Sequence, residues 1–264
     1  MNDRVNDRSK KKASISAYII TQNEEKNIDR LLSSILWMDE IIVLDSGSTD
    51  NTVNIAKKLG AKVSYHSFSN YIEQKNEAMS LCTGEWLINL DADEEITPEL
   101  RKSIEMVLDY KNFTDKPDIY NIIRKTYYMG RWINHCGWYP QYITRMSRRG
   151  KASWSGELIH EKLVAESPSG TLVGDLLHRP YGNLGDHLRK MDKYTEMWAH
   201  QESKAGRKAS IHSLLLRPMG KFIKIYILKA GFLDYVPGLI VAVMASWYTF
   251  MKYARLYELS RNIE

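Results

Sequence analysis

From Ile15 to Asp91, short apolar runs take turns with stretches in which apolar positions recur every three to four residues. The runs Ile15–Thr21, Glu40–Asp45, Ala61–His66 and Glu85–Asp91 are rich in Ile and Val, end in polar residues, and read as buried strands. Between them Glu25–Leu36, Asn51–Leu59 and Tyr71–Leu81 carry helical spacing, the second stopping at Gly60. Repeated β-α units predict an α/β domain built on a mostly parallel sheet. Thr97-Pro98-Glu99 joins a capping hydroxyl to a proline at the first helical position and predicts a helix over Pro98–Tyr110.

The pattern changes after Lys116-Pro117. Ile119–Arg124, Gln141–Arg145, Leu158–Val164 and Thr171–Leu177 are β-like runs separated by Gly, Asn and Ser, a mixed extension of the sheet. Asp186–Ser203 returns to helical spacing, and Ala205–Ser210 reads as a polar linker. Beyond it, Tyr235–Met251 carries no charge. With Pro237-Gly238 breaking its start, the remaining helix Leu239–Met251 would be about 20 Å long, short of the roughly 30 Å needed to cross a bilayer. Met219–Leu233, apolar but carrying Lys221, Lys224 and Lys229, suits a helix lying in a membrane interface.

The chain has 264 residues, 44% apolar and 26% charged, enough for one large domain with an appendage and far from the composition of a disordered or collagenous chain. Cys82 and Cys136 have no metal-site spacing and suit a reducing compartment, so a cytoplasmic location is expected. Met1–Lys12 has no apolar segment behind its charges and reads as a disordered tail. Net charge separates the regions: residues 1–12 carry +3, residues 211–264 carry +4, and the body between them carries −2. A nucleic-acid-binding fold spreads basic surface over the folded domain, so no nucleic-acid partner is expected. The basic, aromatic C-terminal segment points instead to an anionic membrane surface.

In a parallel sheet, ligands bind at the carboxyl ends of the strands. There the chain places Thr21-Gln22-Asn23-Glu24, then Asp45-Ser46-Gly47-Ser48-Thr49-Asp50, then Asp91-Ala92-Asp93. No glycine-rich dinucleotide loop or P-loop is present. Two carboxylates at i and i+2 where a strand breaks into a loop suit a hard divalent cation, Mg²⁺ or Mn²⁺, whose shell a diphosphate completes.

Residues 15–100 resemble the nucleotide-binding half of inverting family 2 glycosyltransferases of the GT-A fold, through T-Q-N-E-E, V-L-D-S-G-S-T-D, Q-K-N-E-A and L-D-A-D-E in order. The segments L-D-S-G-S-T-D, G-E-L-I-H-E and G-F-L-D-Y-V-P-G-L-I extend the similarity to bacterial enzymes that add glucose or a related hexose to the inner core of lipopolysaccharide. The resemblance divides the chain into a tail (1–12), a GT-A catalytic domain (13–210) with a nucleotide-sugar half (13–116) and an acceptor half (117–210), and a membrane-associating helical segment (211–264). It implies that Thr21, Asn23 and Glu24 line the nucleotide pocket, that Asp45 meets the uracil imide, and that Lys75 sits by the base or phosphates. Asp91 would contact the ribose or a metal-bound water, and Asp93 the metal.

Inversion needs a general base opposite the leaving diphosphate. Glu161 fits the family's position for it better than Glu157, and His178 or His160 would complete the metal shell. Gly130–Pro140 and Trp154 are candidates for an aromatic acceptor wall, and Arg145, Arg148, Arg149 and Lys151 for contacts to acceptor phosphates. The implied activity is transfer of a hexose, glucose from UDP-glucose, onto a lipid-linked lipopolysaccharide-core acceptor at the inner face of the inner membrane. A polyprenyl-phosphate glycosyltransferase and a non-catalytic nucleotide-sugar-binding protein are the alternatives.

Overall fold

In a computed structural model, which describes residues 12–109, 117–157 and 160–261, β1 (Ile15–Thr21) and β2 (Glu40–Asp45) pair in parallel, Ser16 opposite Glu40 and Thr21 opposite Asp45. Nearly every side chain in both strands is buried, because helices cover both faces; this is why their sequences do not alternate. The expected tail up to residue 11 and the last residue of the expected helix Pro98–Tyr110 lie outside the described residues, whereas Lys12 bridges Asp109.

Two compact units divide the chain. The first comprises residues through Arg124 together with Tyr142–His178. Its elements run β1, α1 (Ile28–Ile35), β2, α2 (Thr52–Lys58), β3 (Lys62–Tyr65), α3 (Tyr71–Ser80), β4 (Trp86–Asn89), β5 (Glu94–Ile96), α4 (Pro98–Leu108) and β6 (Ile119–Tyr128), which runs on into the second unit. After β7 (Arg131–Trp132) of the second unit come β8 (Gln141–Arg148), β9 (Ser153–Glu157), β10 (His160–Val164) and β11 (Ser169–His178). The sheet order is β3-β2-β1-β4-β8-β6-β11-β5, with β3, β2, β1 and β4 parallel and β8 antiparallel to β4. This is the mostly parallel sheet with a mixed extension that the apolar pattern predicts.

Two departures concern the site. β4 ends at Asn89, so Asp91-Ala92-Asp93 forms a turn after the strand, and the unforeseen strand β5 follows it directly. β5 pairs antiparallel with β11, Glu94 opposite His178, which carries the end of β11 to that turn. β9 and β10 form a separate hairpin with Glu161 opposite Gly156 and Leu163 opposite Trp154. The side chains of Glu157 and His160, and residues 158–159, lie outside what is described.

The second unit comprises Lys125–Gln141 and the residues from Arg179 onward. It contains α5 (Leu184–Lys204), α6 (Ile211–Ile223), a π-helical turn (Lys224–Leu228), a 3₁₀ turn (Gly231–Asp234) and α7 (Tyr235–Arg261). α5, which its sequence groups with residues 13–210, packs on α7. Arg255 of α7 pairs with Asp192 at 2.5 Å, and Lys252 lies 3.9 Å over the Trp198 ring.

α7 corrects an expectation. Pro237-Gly238 does not break it: the proline sits in the first turn, where its missing N–H has no intrahelical partner to lose. The 27-residue helix is about 40 Å long. By length and composition alone the stretch Gly231–Arg261 suffices to cross a membrane, so shortness does not exclude it.

Candidate active site

Three groups of predicted residues lie within the first unit. In the first, Thr21, Asn23 and Asp45 shape the loop after β2. The Asp45 carboxylate accepts from the Gly47 and Ser48 backbone N–H at 2.9 and 2.8 Å, from Ser48 Oγ at 2.5 Å and from Thr21 Oγ1 at 3.2 Å. Four donors occupy the acceptor sites of a carboxylate, so uracil reaches Asp45 only if the Ser48 hydroxyl turns away. Gly47 stands at φ +94°, a conformation natural only to glycine, which lets the loop fold back. The Asn23 side-chain oxygen accepts from Thr49 N at 2.8 Å, and Glu24 accepts from Asn27 Nδ2 at 2.8 Å.

α3 supplies three consecutive residues that face three neighbours. Gln74, fully buried, donates to Ser46 Oγ at 2.7 Å and meets His66 Nδ1 at 2.8 Å, fixing the loop beyond Asp45. Asn76 exchanges two hydrogen bonds with the backbone of Trp154, N to Oδ1 at 2.9 Å and Nδ2 to O at 3.0 Å, and thereby anchors the β9–β10 hairpin. Between them, Lys75 Nζ donates to Glu161 Oε1 at 2.8 Å, lies 3.8 Å from Asp91 Oδ1 and sits 4.4 Å over the Trp154 ring. Lys75, Glu161 and Asp91 are thus brought together as the second group. Glu161 is partly exposed, and its other oxygen has no partner among the described residues.

The residue that organises this group is Arg145 on β8. It is 5% exposed, donates to Asp91 Oδ2 at 2.5 Å and to Asn89 Oδ1, and reaches Glu94 Oε1 at 3.5 Å. Glu94 is fully buried; it also meets Arg124 at 3.4 Å and accepts the Asp91 N–H at 2.9 Å. Three cations, Lys75, Arg124 and Arg145, therefore face three carboxylates. Burial raises the Asp91 carboxyl, but Arg145 and Lys75 outweigh it and hold the group well below the usual carboxylate range. Glu94 goes the other way: burial, helped by Asp91, lifts it above its ordinary value against Arg145.

The third group is Asp93 and His178, with Nε2 3.5 Å from Oδ2 across the β5–β11 junction. His178 Nδ1 is buried without a hydrogen-bond partner among the described residues. No cluster of three or more His, Cys, Asp or Glu forms among the described residues, so protein groups alone do not complete a metal shell. One carboxylate and one imidazole nonetheless fit a Mg²⁺ or Mn²⁺ whose other ligands are diphosphate oxygens and water.

Two candidates change role. Arg145 is no surface contact for acceptor phosphates, because it is enclosed by its own carboxylates; Arg148 pairs with Asp118 at 3.5 Å. Trp154 is no acceptor wall. It is 5% exposed, donates through Nε1 to Tyr18 Oη at 2.8 Å and packs beneath Lys75 and Arg145. Glu94 and Tyr18 are the site residues that sequence reasoning passed over: both are buried, and their partners lie far along the chain.

The site thus joins acidic turns at the strand ends of an α/β sheet to a carboxylate delivered from a separate hairpin. The family model described as glycosyl transferase family 2 matches residues 16–162, and the chain belongs to that family. An uncharacterized glycosyltransferase of Rickettsia typhi, RT0209, is 30% identical over 262 residues, covering 94% of this chain and 89% of that protein. The lipopolysaccharide core biosynthesis glycosyltransferase LpsC of Rhizobium meliloti is 27% identical over 259 residues, covering 94% and 93%. Among solved structures, S. aureus TarS 1-349 in complex with UDP-GlcNAc is similar at 16% identity and a TM-score of 0.49, covering 94% of this chain and 91% of that one.

Proposed function

We propose that the protein transfers a hexose, glucose from UDP-glucose, with inversion onto a lipid-linked saccharide of the lipopolysaccharide-core type, acting from the cytoplasmic face of the membrane. The observation that carries the reading is the Lys75–Glu161 pair. A lysine from the nucleotide-binding half holds one oxygen of a carboxylate from the hairpin and leaves the second without a partner among the described residues. In a single displacement, that second oxygen takes the proton of the acceptor hydroxyl as the hydroxyl oxygen attacks the anomeric carbon. Asp91, fixed by Arg145, presents the edge that meets the ribose. Asp93 and His178 would hold a divalent cation, whose chemistry would be to offset negative charge on the UDP leaving group. The similarity to LpsC along nearly the full length supports the choice of acceptor class.

The membrane assignment draws on α6. Ile211, Leu215, Met219 and Ile223 recur every four residues on one face and are each 46–68% exposed. α7 is held to the polar helix α5 by Arg255 and Lys252, so a crossing α7 would draw α5 into hydrocarbon; this favours helices lying on the surface.

A donor screen tests the function: each UDP-sugar with Mn²⁺ and a purified deep-core acceptor, read as a mass increment. UDP-glucose should give a hexose increment, and Asp93→Ala should lower transfer by about 10³-fold or more. Transfer by Asp93→Ala at the full rate in chelator would end the metal assignment, and a non-hexose increment would end the sugar assignment.

A further inference from the structure

Four lysines, Lys190, Lys221, Lys224 and Lys229, line a cavity of about 480 Å³ inside the second unit, and no described acidic residue lines it. The side chains of Lys221, Lys224 and Lys229 have no ion pair or hydrogen bond among the described residues, whereas Lys190 donates to the Pro180 carbonyl at 2.8 Å. Like charges around one cavity repel, and no carboxylate among the described residues that line it offsets them. The remainder of the wall is apolar and aromatic, with Trp138, Tyr181, Val241 and Met244 among its residues.

Cys136, Gly137 and Trp138 of the wall belong to the Gly130–Pro140 loop, which a second motif outside the catalytic site braces. Asp234 of the G-F-L-D-Y-V-P-G segment is fully buried and accepts the backbone N–H of Asn134 and His135, at 3.2 and 2.8 Å, from the Gly130–Pro140 loop. Cys136 of that loop, at φ +61°, donates its N–H to the Lys229 carbonyl at 3.0 Å, and Ala230 follows at φ +49°. A Cβ on Gly238 would stand 1.9 Å from the Gly231 carbonyl oxygen, so only glycine permits this crossing. Left-handed conformations at two non-glycine residues and a π-helical turn over Lys224–Leu228 place strained backbone beside the lysines; such features persist where the surroundings impose them, often at ligand sites. The same positive field reaches Lys252, which burial, Lys221 and Arg217 push below its ordinary range against Glu202.

We propose that this cavity binds the phosphate group of an anionic lipid, the ammonium groups around the phosphate and the first methylenes of the lipid against the apolar wall. A phosphate offers oxygens to several lysines at once, and the exposed apolar face of α6 lies on the same unit for the chains. The proposal rests on the membrane reading for the lipid, while its phosphate component stands on the cavity alone. Two sources share this chemistry: a bilayer phospholipid, or the phosphorylated lipid anchor of an acceptor saccharide.

The test is calorimetric titration of the full chain with dihexanoyl phosphatidic acid below its micellar concentration, with dihexanoyl phosphatidylcholine and inorganic phosphate in parallel. Saturable binding of the first is expected. The variant Lys221→Gln/Lys224→Gln/Lys229→Gln should weaken it about 100-fold, at roughly fivefold per lysine. Lys26→Gln/Lys57→Gln/Lys58→Gln, an equal charge change on exposed residues of the first unit, should leave it unchanged. Titration with dihexanoyl phosphatidylglycerol and with a phosphorylated acyl-glucosamine separates the sources, the tighter ligand naming the occupant. Equal loss in both triple variants, or inorganic phosphate binding as tightly as phosphatidic acid, overturns the proposal. Flotation with vesicles separates the two readings. Vesicle binding without short-chain lipid binding overturns the cavity and leaves the membrane reading standing; short-chain binding without vesicle binding does the reverse.

Discussion

Charge is handled in opposite ways in the two units. In the first, Lys75, Arg124 and Arg145 are enclosed and matched against Asp91, Glu94 and Glu161, so the charges hold one another in place before any substrate arrives. In the second, Lys221, Lys224 and Lys229 surround a cavity without an acidic partner among the described residues. A matched buried network fixes geometry, and its loss is felt by the fold. An unmatched set contributes little to folding and is available to a ligand. The contrast separates a preorganised reaction centre from a surface that waits for its counter-charge.

The sharpest way to break this comparison is Arg145→Ala. It leaves Asp91 and Glu94 without their shared cation in a buried site, and removing one partner of such a network costs about 3–5 kcal/mol. Urea unfolding of the first unit should register that loss, and transfer should disappear with it. A variant as stable as the parent would mean that water already compensates these carboxylates.

Glu161→Gln separates chemistry from folding. Glutamine keeps an oxygen for the Lys75 donor but cannot take a proton, so transfer should fall about 10²–10⁴-fold, as expected for a lost general base, while unfolding shifts far less than for Arg145→Ala. Retained activity would point to an acceptor that is already an anionic oxygen, as in the polyprenyl-phosphate alternative.

How much of this was legible in the sequence depends on whether a residue's partners are near in the chain. Periodicity predicts β1, β2 and α1–α4 well because burial on one face or both leaves a local pattern. The turn Asp91-Ala92-Asp93 is legible for the same reason: it follows a buried strand. β5 is not, since a three-residue strand beginning with Glu94-Glu95 looks like solvent-facing chain; Glu94 is buried only because Arg145 and Arg124 come to it from β8 and β6. Arg145 itself sits among basic residues in sequence and among carboxylates in space. Pro237-Gly238 misleads because both residues usually end helices, whereas here the proline occupies a first turn and the glycine admits the Gly231 carbonyl.

Acid provides a milder probe of the paired unit. Glu40, buried, accepts from Lys62 Nζ at 2.8 Å, Ser16 Oγ at 2.6 Å and Thr83 N at 2.7 Å. Burial raises its carboxyl, but these donors together lower it from 4.5 to about 2. With the folded value below the unfolded one, ionised Glu40 stabilises the fold above about pH 4.5, and the contribution is lost as pH falls from 4.5 towards 2. Glu40→Gln should therefore be about 1–3 kcal/mol less stable than the parent at pH 7 and converge on it near pH 2. Parallel curves across that range would exclude Glu40 as a contributor.

The smallest expected effect bears most directly on the contrast. If Lys221, Lys224 and Lys229 are unmatched charges, replacing each singly with glutamine removes repulsion and no attraction, so the stability of the second unit should stay within about 0.5 kcal/mol of the parent or rise slightly. Any rise should be greatest at low ionic strength, where the lysines feel one another most, and should shrink as salt shortens the screening length to about 8 Å at 0.15 M. A loss above about 1 kcal/mol in thermal unfolding without ligand would show that the lysines are held by the fold, and the division between a matched and an unmatched unit would fail. Stabilisation by glutamine that vanishes when dihexanoyl phosphatidic acid is present would tie the repulsion to the ligand, because only the parent then has an anion to offset it.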